Sequence, residues 1–411
     1  MNKILQIKML IPALLAGILL GCSNDDIDTA PGEVHPVQIP ARISAGTNDF
    51  AFDFFKNLQE TETADANLFV SPLSLHMALG MLLNGAENET ATEILKTLKM
   101  EGVSLSELND AYKTLLNDMP VADSKVTLGL ANSVWFRNNV QVETDFKNVL
   151  NQSFNADVTS LEFNNAALGK INQWASDKTN GKIKKVLDQL DPDAVLYLLN
   201  ALYFKGDWAA KFDSKNTQDK AFHLQTGTDT NVKMMYNNDD YTAGSFDKYS
   251  AVKLPYGNGQ FEMTIVLPKT GTVITDLLNS FTTAEWGKIQ SSLGEQKVNV
   301  GLPRFKLDYS VMLNSTLTKM GINKVFTSAA EFGKISKSAA TAVSFIKQDT
   351  YLGIDETGTE AAAVTTIGMV GSAGPTEPLQ IICDRPFGII ISEKTSNTIL
   401  FMGRIMNPDS K

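Results

Sequence analysis

Cysteine and histidine are scarce in this chain of 411 residues, with two of the first and three of the second. Cys22 closes an N-terminal apolar run, which leaves Cys383 by itself. No disulfide can therefore join two parts of the body, and stability must come from a packed core. Cys383 follows Ile381 and Ile382 and reads as a small buried hydrophobe. His35, His76 and His223 fall in a proline-containing segment, an amphipathic helix and an expected strand, without the spacing of a metal site or a catalytic pair. Nucleotide fingerprints are missing as well, since there is no P-loop and no GxGxxG. Ser372 does not sit in a hydrolase elbow, because Val370 stands where the first glycine of G-x-S-x-G belongs. With only scattered carboxylates left, the chain reads as a non-enzyme that uses no metal and no cofactor. Basic residues are outnumbered, 36 against 46 acidic, and a net charge of −10 with pI near 5.0 argues against nucleic acid as a partner.

Apolar runs long enough to span a bilayer are also lacking. Lys3 and Lys8 precede an apolar core from Met9 to Leu20 that is too short for a membrane span, so residues 1–21 read as a targeting signal. Its end, Leu19-Leu20-Gly21-Cys22, resembles a bacterial lipobox. That resemblance implies cleavage before Cys22, lipid on Cys22, and anchoring to the outer membrane. An acidic stretch and Pro31, Pro36 and Pro40 follow, so residues 22–44 read as an extended tether. The acidic run matches either plain solvation or an export signal, which leaves the cell surface and the periplasmic face both open.

What is present is an ordinary globular composition, 43% hydrophobic and 20% charged, with one contradictory stretch, DETGTEAAAVTTIGMVGSAGPTEP from Asp355 to Pro378. Gly358, Gly368, Gly371, Gly374, Pro375 and Pro378 punctuate it like a loop. Yet Thr359, Ala361, Ala363, Thr365, Ile367 and Met369 recur at the two-residue period of a strand with one small or apolar face. It reads either as a flexible surface loop or as a strand awaiting a sheet.

Elsewhere the elements are plainer. Phe50, Phe54 and Leu58 share a helical face after a cap at Thr47 or Asn48. Ser71-Pro72 opens a second helix with Leu75, Ala78, Leu79 and Leu82 on one side, and Thr90-Ala91-Thr92-Glu93 reads as a capping box for a third. Val195 to Phe204 is apolar enough for a strand buried on both faces, and its Asn200 needs a partner there. Val252–Tyr256 and Phe261–Pro268 pair around Gly257-Asn258-Gly259.

Several of these stretches resemble the serpins, a family of serine-protease inhibitors. Glu356 to Ala363 is similar to the serpin hinge. Asn67 to Ala86, Leu130 to Phe136, Ile171 to Trp174, Lys178 to Ile183, Lys205 to Trp208, Pro303-Arg304-Phe305, Met320-Gly321-Ile322 and Asp384 to Pro408 match further serpin segments. The resemblance implies an α+β serpin fold with three β-sheets, eight to nine helices and an exposed reactive-centre loop at about 356–378, in one domain over 45–411. It implies a suicide substrate: a target protease cuts the loop, and the freed arm enters the main sheet as a new strand while the enzyme is still acylated.

By the same resemblance the hinge comprises Glu356, Gly358, Thr359, Glu360, Ala361, Ala362 and Ala363. Sixteen residues past Glu356 the reactive bond falls at Ser372-Ala373, with Met369 and Val370 as rivals. Trp208 maps to the breach, where Arg304 is the expected ion-pair partner of Glu356. Ser71, Ser74 and Asn200 map to the shutter, where Gln348 replaces a histidine common in the family. The implied partner is a protease held covalently by a monomeric inhibitor. From Ala361 to Asp384 there is no Lys or Arg, so enzymes that cut after small or apolar residues are expected: elastase-like, subtilisin-like, chymotrypsin-like or papain-like. The alternative is a non-inhibitory serpin that serves as a surface binding module.

Overall fold

Nine α-helices and fifteen strands form among the residues that the computed structural model describes, namely 34–191, 194–337, 342–359 and 377–409. The helices are α1 (Ala41–Thr61), α2 (Pro72–Gly85), α3 (Asn88–Thr97), α4 (Leu105–Asp118), α5 (Thr144–Phe154), α6 (Asn165–Lys178), α7 (Ile274–Asn279), α8 (Thr283–Ser292) and α9 (Asn314–Lys319). The strands are β1 (Leu68–Val70), β2 (Val126–Arg137), β3 (Asp157–Leu161), β4 (Leu196–Asp207), β5 (Gln218–His223), β6 (Asp229–Ser245), β7 (Tyr249–Pro255) and β8 (Phe261–Pro268). They continue with β9 (Gly294–Pro303), β10 (Phe305–Met312), β11 (Lys347–Ile354), β12 (Gly358–Thr359), β13 (Leu379–Ile382), β14 (Phe387–Glu393) and β15 (Thr398–Ile405). No helix among the described residues is long and apolar enough to cross a membrane.

The main sheet has six strands in the order β10, β11, β12, β4, β2, β3. β4 is apolar on both faces because both are covered. Leu196, Leu198, Leu202 and Phe204 join the large core that includes α2, while Tyr197, Leu199 and Ala201 meet Trp135 and the α6 residues Ile171 and Trp174 on the other side. The remaining nine strands run β1, β15, β14, β8, β7, β6, β9, β13, with β5 paired to β6. Long β6 pairs with β5 from Asp229 to Met234, with β9 from Met234 to Ala243 and with β7 only at Ala243 to Ser245. The three expected sheets thus appear as two hydrogen-bonded networks, two of the sheets merging through β6.

Local signals succeed and fail for identifiable reasons. Ser71 caps α2 as expected, accepting from the Ser74 N–H at 3.2 Å with Pro72 in the first turn. The expected capping box at Thr90 does not form, because α3 begins two residues earlier. Its first N–H groups are met instead by the distant Glu331 carboxylate, which accepts from Glu89 and Thr90. Thr47 and Asn48 do not cap α1, which starts at Ala41; the Thr47 hydroxyl donates back to the Ile43 carbonyl. The boundary expected at 45 therefore falls inside a helix, and part of the expected tether is folded. Val37 is fully buried, its N–H donates to Thr395 Oγ1 at 2.8 Å, and the Gln260 side-chain amide bonds both backbone groups of His35.

α2 was expected to show one apolar face, yet all fourteen of its residues are buried. His76 is among them. Its Nε2 lies 3.1 Å from the Leu98 carbonyl and its Nδ1 2.8 Å from the Tyr112 hydroxyl, so the neutral ring donates on one side and accepts on the other. Burial lowers its pKa from 6.5 to about 4. The unfolded chain thus takes up this proton below pH 6.5 and the folded chain only below about pH 4, so stability rises with pH across that window. The contribution should be complete above pH 7 and fade by about 3 kcal/mol toward pH 4. Urea unfolding of wild type and His76→Phe at pH 7, 5.5 and 4.5 checks this: the variant should lose part of the slope, and equal slopes would exclude the histidine as its source.

Candidate functional site

The chain leaves β11 at Ile354 and turns back at once. The Asp355 carboxylate accepts from the Thr357 N–H at 2.8 Å, the Thr357 hydroxyl at 2.6 Å and the Gly358 N–H at 3.3 Å, while the Asp355 N–H donates to the Gly358 carbonyl at 3.0 Å. An aspartate at the head of a turn does this because its short carboxylate reaches the amides two and three residues on. The returning residues, Gly358 and Thr359, enter between two strands. Thr359 pairs with Ile354 of β11 on one side and Gly206 of β4 on the other, and Gly358 pairs with Asp207. Among the described residues, β11 and β4 share one direct register pair, Asp349 with Ala201. Gly358 is required for this close approach, since a Cβ there would lie 2.0 Å from the Gly206 carbonyl oxygen.

Three successive carbonyls of the turn are tied to the segment after β4. The Trp208 indole N–H donates to Asp355 at 3.0 Å, the Trp208 backbone N–H to Thr357 at 2.9 Å, and the Phe212 N–H to Glu356 at 2.9 Å. Trp208 itself is buried and stacks on Tyr256, with ring centroids 4.5 Å apart and planes 13° from parallel. The Glu356 side chain, 9% exposed, accepts from the Thr217 hydroxyl at 2.7 Å and lies 3.5 Å from the Arg304 guanidinium. Tyr256 and Thr359 share a hydrogen bond of 2.7 Å between hydroxyls, and burial pushes the Tyr256 phenol far above its ordinary range.

A second cluster lies lower on the same strands. The Gln348 side chain of β11 accepts from the Ser71 N–H at 2.8 Å and donates to the Ser71 carbonyl at 3.0 Å, so one amide clasps both sides of one backbone residue. The Ser71 hydroxyl donates to the Leu400 carbonyl at 2.7 Å, and Thr350, two residues along β11, donates to the Phe69 carbonyl at 2.5 Å. On β4, Asn200 donates to Asn132 Oδ1 at 2.6 Å, and Asn132 donates to the Phe154 carbonyl. Among the described residues, the Ser74 hydroxyl and Asn200 Oδ1 are buried without a hydrogen-bond partner. Neither cluster sets a nucleophile beside a base. They hold a strand end and bolt two strands to what lies behind them.

The family profile of the serpins (serine protease inhibitors) matches residues 45–408. The chain belongs to the serpin family. It is 33% identical to the leukocyte elastase inhibitor of Bos taurus over 382 residues, covering 89% of this chain and all of that protein. Among solved structures it is similar to the native state of the thermophilic serpin tengpin, with TM-score 0.84, 27% identity, and 91% and 96% of the two chains covered. Human thyroxine-binding globulin complexed with thyroxine is as similar, with TM-score 0.84, 27% identity, and 90% and 99% covered. Serpins are typically protease inhibitors that form complexes with their targets and are not catalysts, although some, such as thyroxine-binding globulin, do not inhibit.

In this serpin the described part of the hinge, Glu356, Gly358 and Thr359, converges with Trp208 and Arg304, and Ser71, Ser74 and Gln348 converge below. Asn200 stands apart from Gln348's contacts and instead faces Asn132, its cross-strand register partner. Glu360, Ala361, Ala362, Ala363, the bond expected at Ser372-Ala373, its rivals Met369 and Val370, and Cys22 lie outside the described residues. Sequence reasoning passed over Thr217, Phe212, Asn132 and Tyr256. Of these only Tyr256 carried a signal, as an aromatic immediately before a Gly-Asn-Gly turn.

Truncating Gln348 leaves the fully buried Ser71 N–H without its acceptor and opens a small void; the Ser71 carbonyl keeps the Leu75 N–H. Gln348→Ala should cost about 2–4 kcal/mol in denaturant unfolding. An unchanged midpoint would mean that the clasp contributes nothing.

Proposed function

We propose that this serpin is a suicide-substrate protease inhibitor, held to the outer membrane through lipid on Cys22. One observation carries the reading: Gly358 and Thr359 already sit as a strand between β11 and β4. Continuing that antiparallel register after cleavage sets Ala361 opposite Leu352 and Phe204, Ala363 opposite Thr350 and Leu202, and Thr365 opposite Gln348 and Asn200. All of these would fall on the core-facing side, where a charge would be buried unpaired, and none of Ala361, Ala363 and Thr365 is charged or proline. Val364 would arrive level with Asp349 and Ala201, so their bridge is the direct pairing that must part. Thr365 would bring a hydroxyl beside Asn200 Oδ1, an acceptor that has no donor among the described residues.

A strand added between two others gains backbone bonds on both edges. At about 0.5–1.5 kcal/mol net for each of roughly a dozen residues, insertion releases on the order of ten kcal/mol before ordering entropy. That suffices to drag an acylated protease along with the arm. The non-inhibitory alternative, a surface binding module, is less well supported, because its arm would not need uncharged residues at the inward positions.

An SDS-stable complex tests the reading. With a panel of proteases, elastase-like or subtilisin-like enzymes should form it, with chymotrypsin-like and papain-like enzymes as further classes, and sequencing the released peptide should place the cut at Ser372-Ala373, or at Met369 or Val370. Trypsin should fail, because its acidic specificity pocket is left unpaired by every side chain from Ala361 to Ala373. Rapid trypsin inhibition through this loop, with none of an elastase-like or subtilisin-like enzyme, would overturn the specificity. Ala361→Arg should turn inhibitor into substrate, since a guanidinium would have to be buried against Leu352 and Phe204 at a cost of several kcal/mol, about 3–5. Unaltered stoichiometry in that variant would exclude insertion. Cys22→Ala should release an intact inhibitor into the soluble fraction; a variant still retained by membranes would refute the lipid anchor.

A further inference from the structure

We infer that Tyr256 is a positioning residue for loop insertion, its hydroxyl holding Thr359 in the first place of the new strand so that insertion starts from a seated residue. The inference builds on the inhibitor reading above. Thr359 is 1% exposed and is the residue at which the described part of the arm ends. Its backbone is paired on both sides, and its hydroxyl meets that of Tyr256 at 2.7 Å. Among the described residues Thr359 is the hydrogen-bond partner of the Tyr256 hydroxyl, and Tyr256 is fully buried. Withdrawing Thr359 would therefore strand a buried phenol without a partner, which opposes escape of the arm from its seat.

The hydroxyl is also fixed in space. The ring is stacked on Trp208 and set edge-on to Phe204 at 5.0 Å, and the backbone beside it is tied by the Tyr256 N–H to the Phe261 carbonyl and the Gly257 N–H to the Asp207 carbonyl. Gly206 makes room for the ring, because a Cβ there would stand 2.8 Å from Tyr256 Cδ1. The same glycine lies opposite Thr359 on β4. One small residue thus admits both the ring and the arriving strand. The phenol stays protonated over the whole working range, so the contact does not vary with pH.

Seating matters because insertion races deacylation. An arm whose first residue is already paired on both edges has no search for register to make before the ladder grows, whereas a loose arm first has to find the gap between β4 and β11.

Tyr256→Phe keeps the stacked ring and removes only the hydroxyl, and Thr359→Val removes the other half of the bond at constant shape. Each should raise the number of inhibitor molecules consumed per protease by roughly three- to tenfold, the equivalent of one hydrogen bond, while the rate of loop cleavage stays the same. The double variant should be no worse than either single one, and Thr359→Ser should behave like wild type. Hydrogen exchange of the 354–359 segment in the uncut protein reads the seat without any protease, and should quicken by a similar factor in Tyr256→Phe. Additive effects in the double variant, or wild-type exchange and stoichiometry in Tyr256→Phe, would overturn the inference. A wild-type protein that forms no complex with any protease would sink the inhibitor reading instead, and the exchange measurement would still decide whether Tyr256 holds Thr359.

Discussion

Two parallel strands at the centre of the main sheet, β4 and β11, meet directly at Asp349 and Ala201, and a two-residue strand holds their ends apart above that point. Most of what is distinctive in the molecule serves this junction. On their far sides both strands are fully laddered, β4 to β2 over eleven residue pairs and β11 to β10 over eight. The seam between them is the weak line of an otherwise continuous sheet, and its two ends are managed differently. At the top the turn at Asp355 is tied down through three carbonyls and a buried glutamate. Lower down, Gln348 and Thr350 fasten β11 to the chain entering α2.

The front of the seam is crossed as well. The segment after α6 is shaped by the Asn172 side chain, which bonds the backbone of Val186 and Leu187 three times. From there it reaches over to β11, where the Lys347 ammonium donates to the Val186 carbonyl at 2.8 Å and Lys182 lies 5.3 Å from the centre of the Tyr351 ring. A strand driven into the seam must part the Asp349 to Ala201 bridge beneath this strap. On the proposed insertion mechanism, restraints on both faces would give the uninserted state its lifetime, while the unused edges of the two strands would supply the drive.

Much of this was legible from residue types, and the failures are instructive. The two-residue period that begins at Thr359 reads as a loop or as a strand awaiting a sheet, and Gly358 and Thr359 do pair as a strand; the rest of the period, Ala361 to Met369, lies outside the described residues. The pairing of Arg304 with Glu356 came from family resemblance; the structure adds Thr217, which no local pattern marks because it lies 139 residues away. α2 was read as one-sided from the spacing of Leu75, Ala78, Leu79 and Leu82, but its polar residues find partners, Asn84 in Asn109 and His76 in Tyr112 and Leu98, and so can be buried. The cap on α3 was misplaced because a distant side chain, Glu331, meets its first N–H groups, and those on α1 because the helix already begins at Ala41, ahead of Thr47 and Asn48. The seam itself is invisible in sequence, being a relation between Ala201 and Asp349, 148 residues apart.

The account turns on whether the arm becomes a strand of the main sheet once it is cut. Thermal unfolding of the protein before and after a single cut in the loop, made by a protease that it does not trap, decides this most directly. Insertion worth on the order of ten kcal/mol should raise Tm by roughly 10–20 °C for a domain of this size. A cut protein that melts at the temperature of the intact one, or below it, would contradict the account.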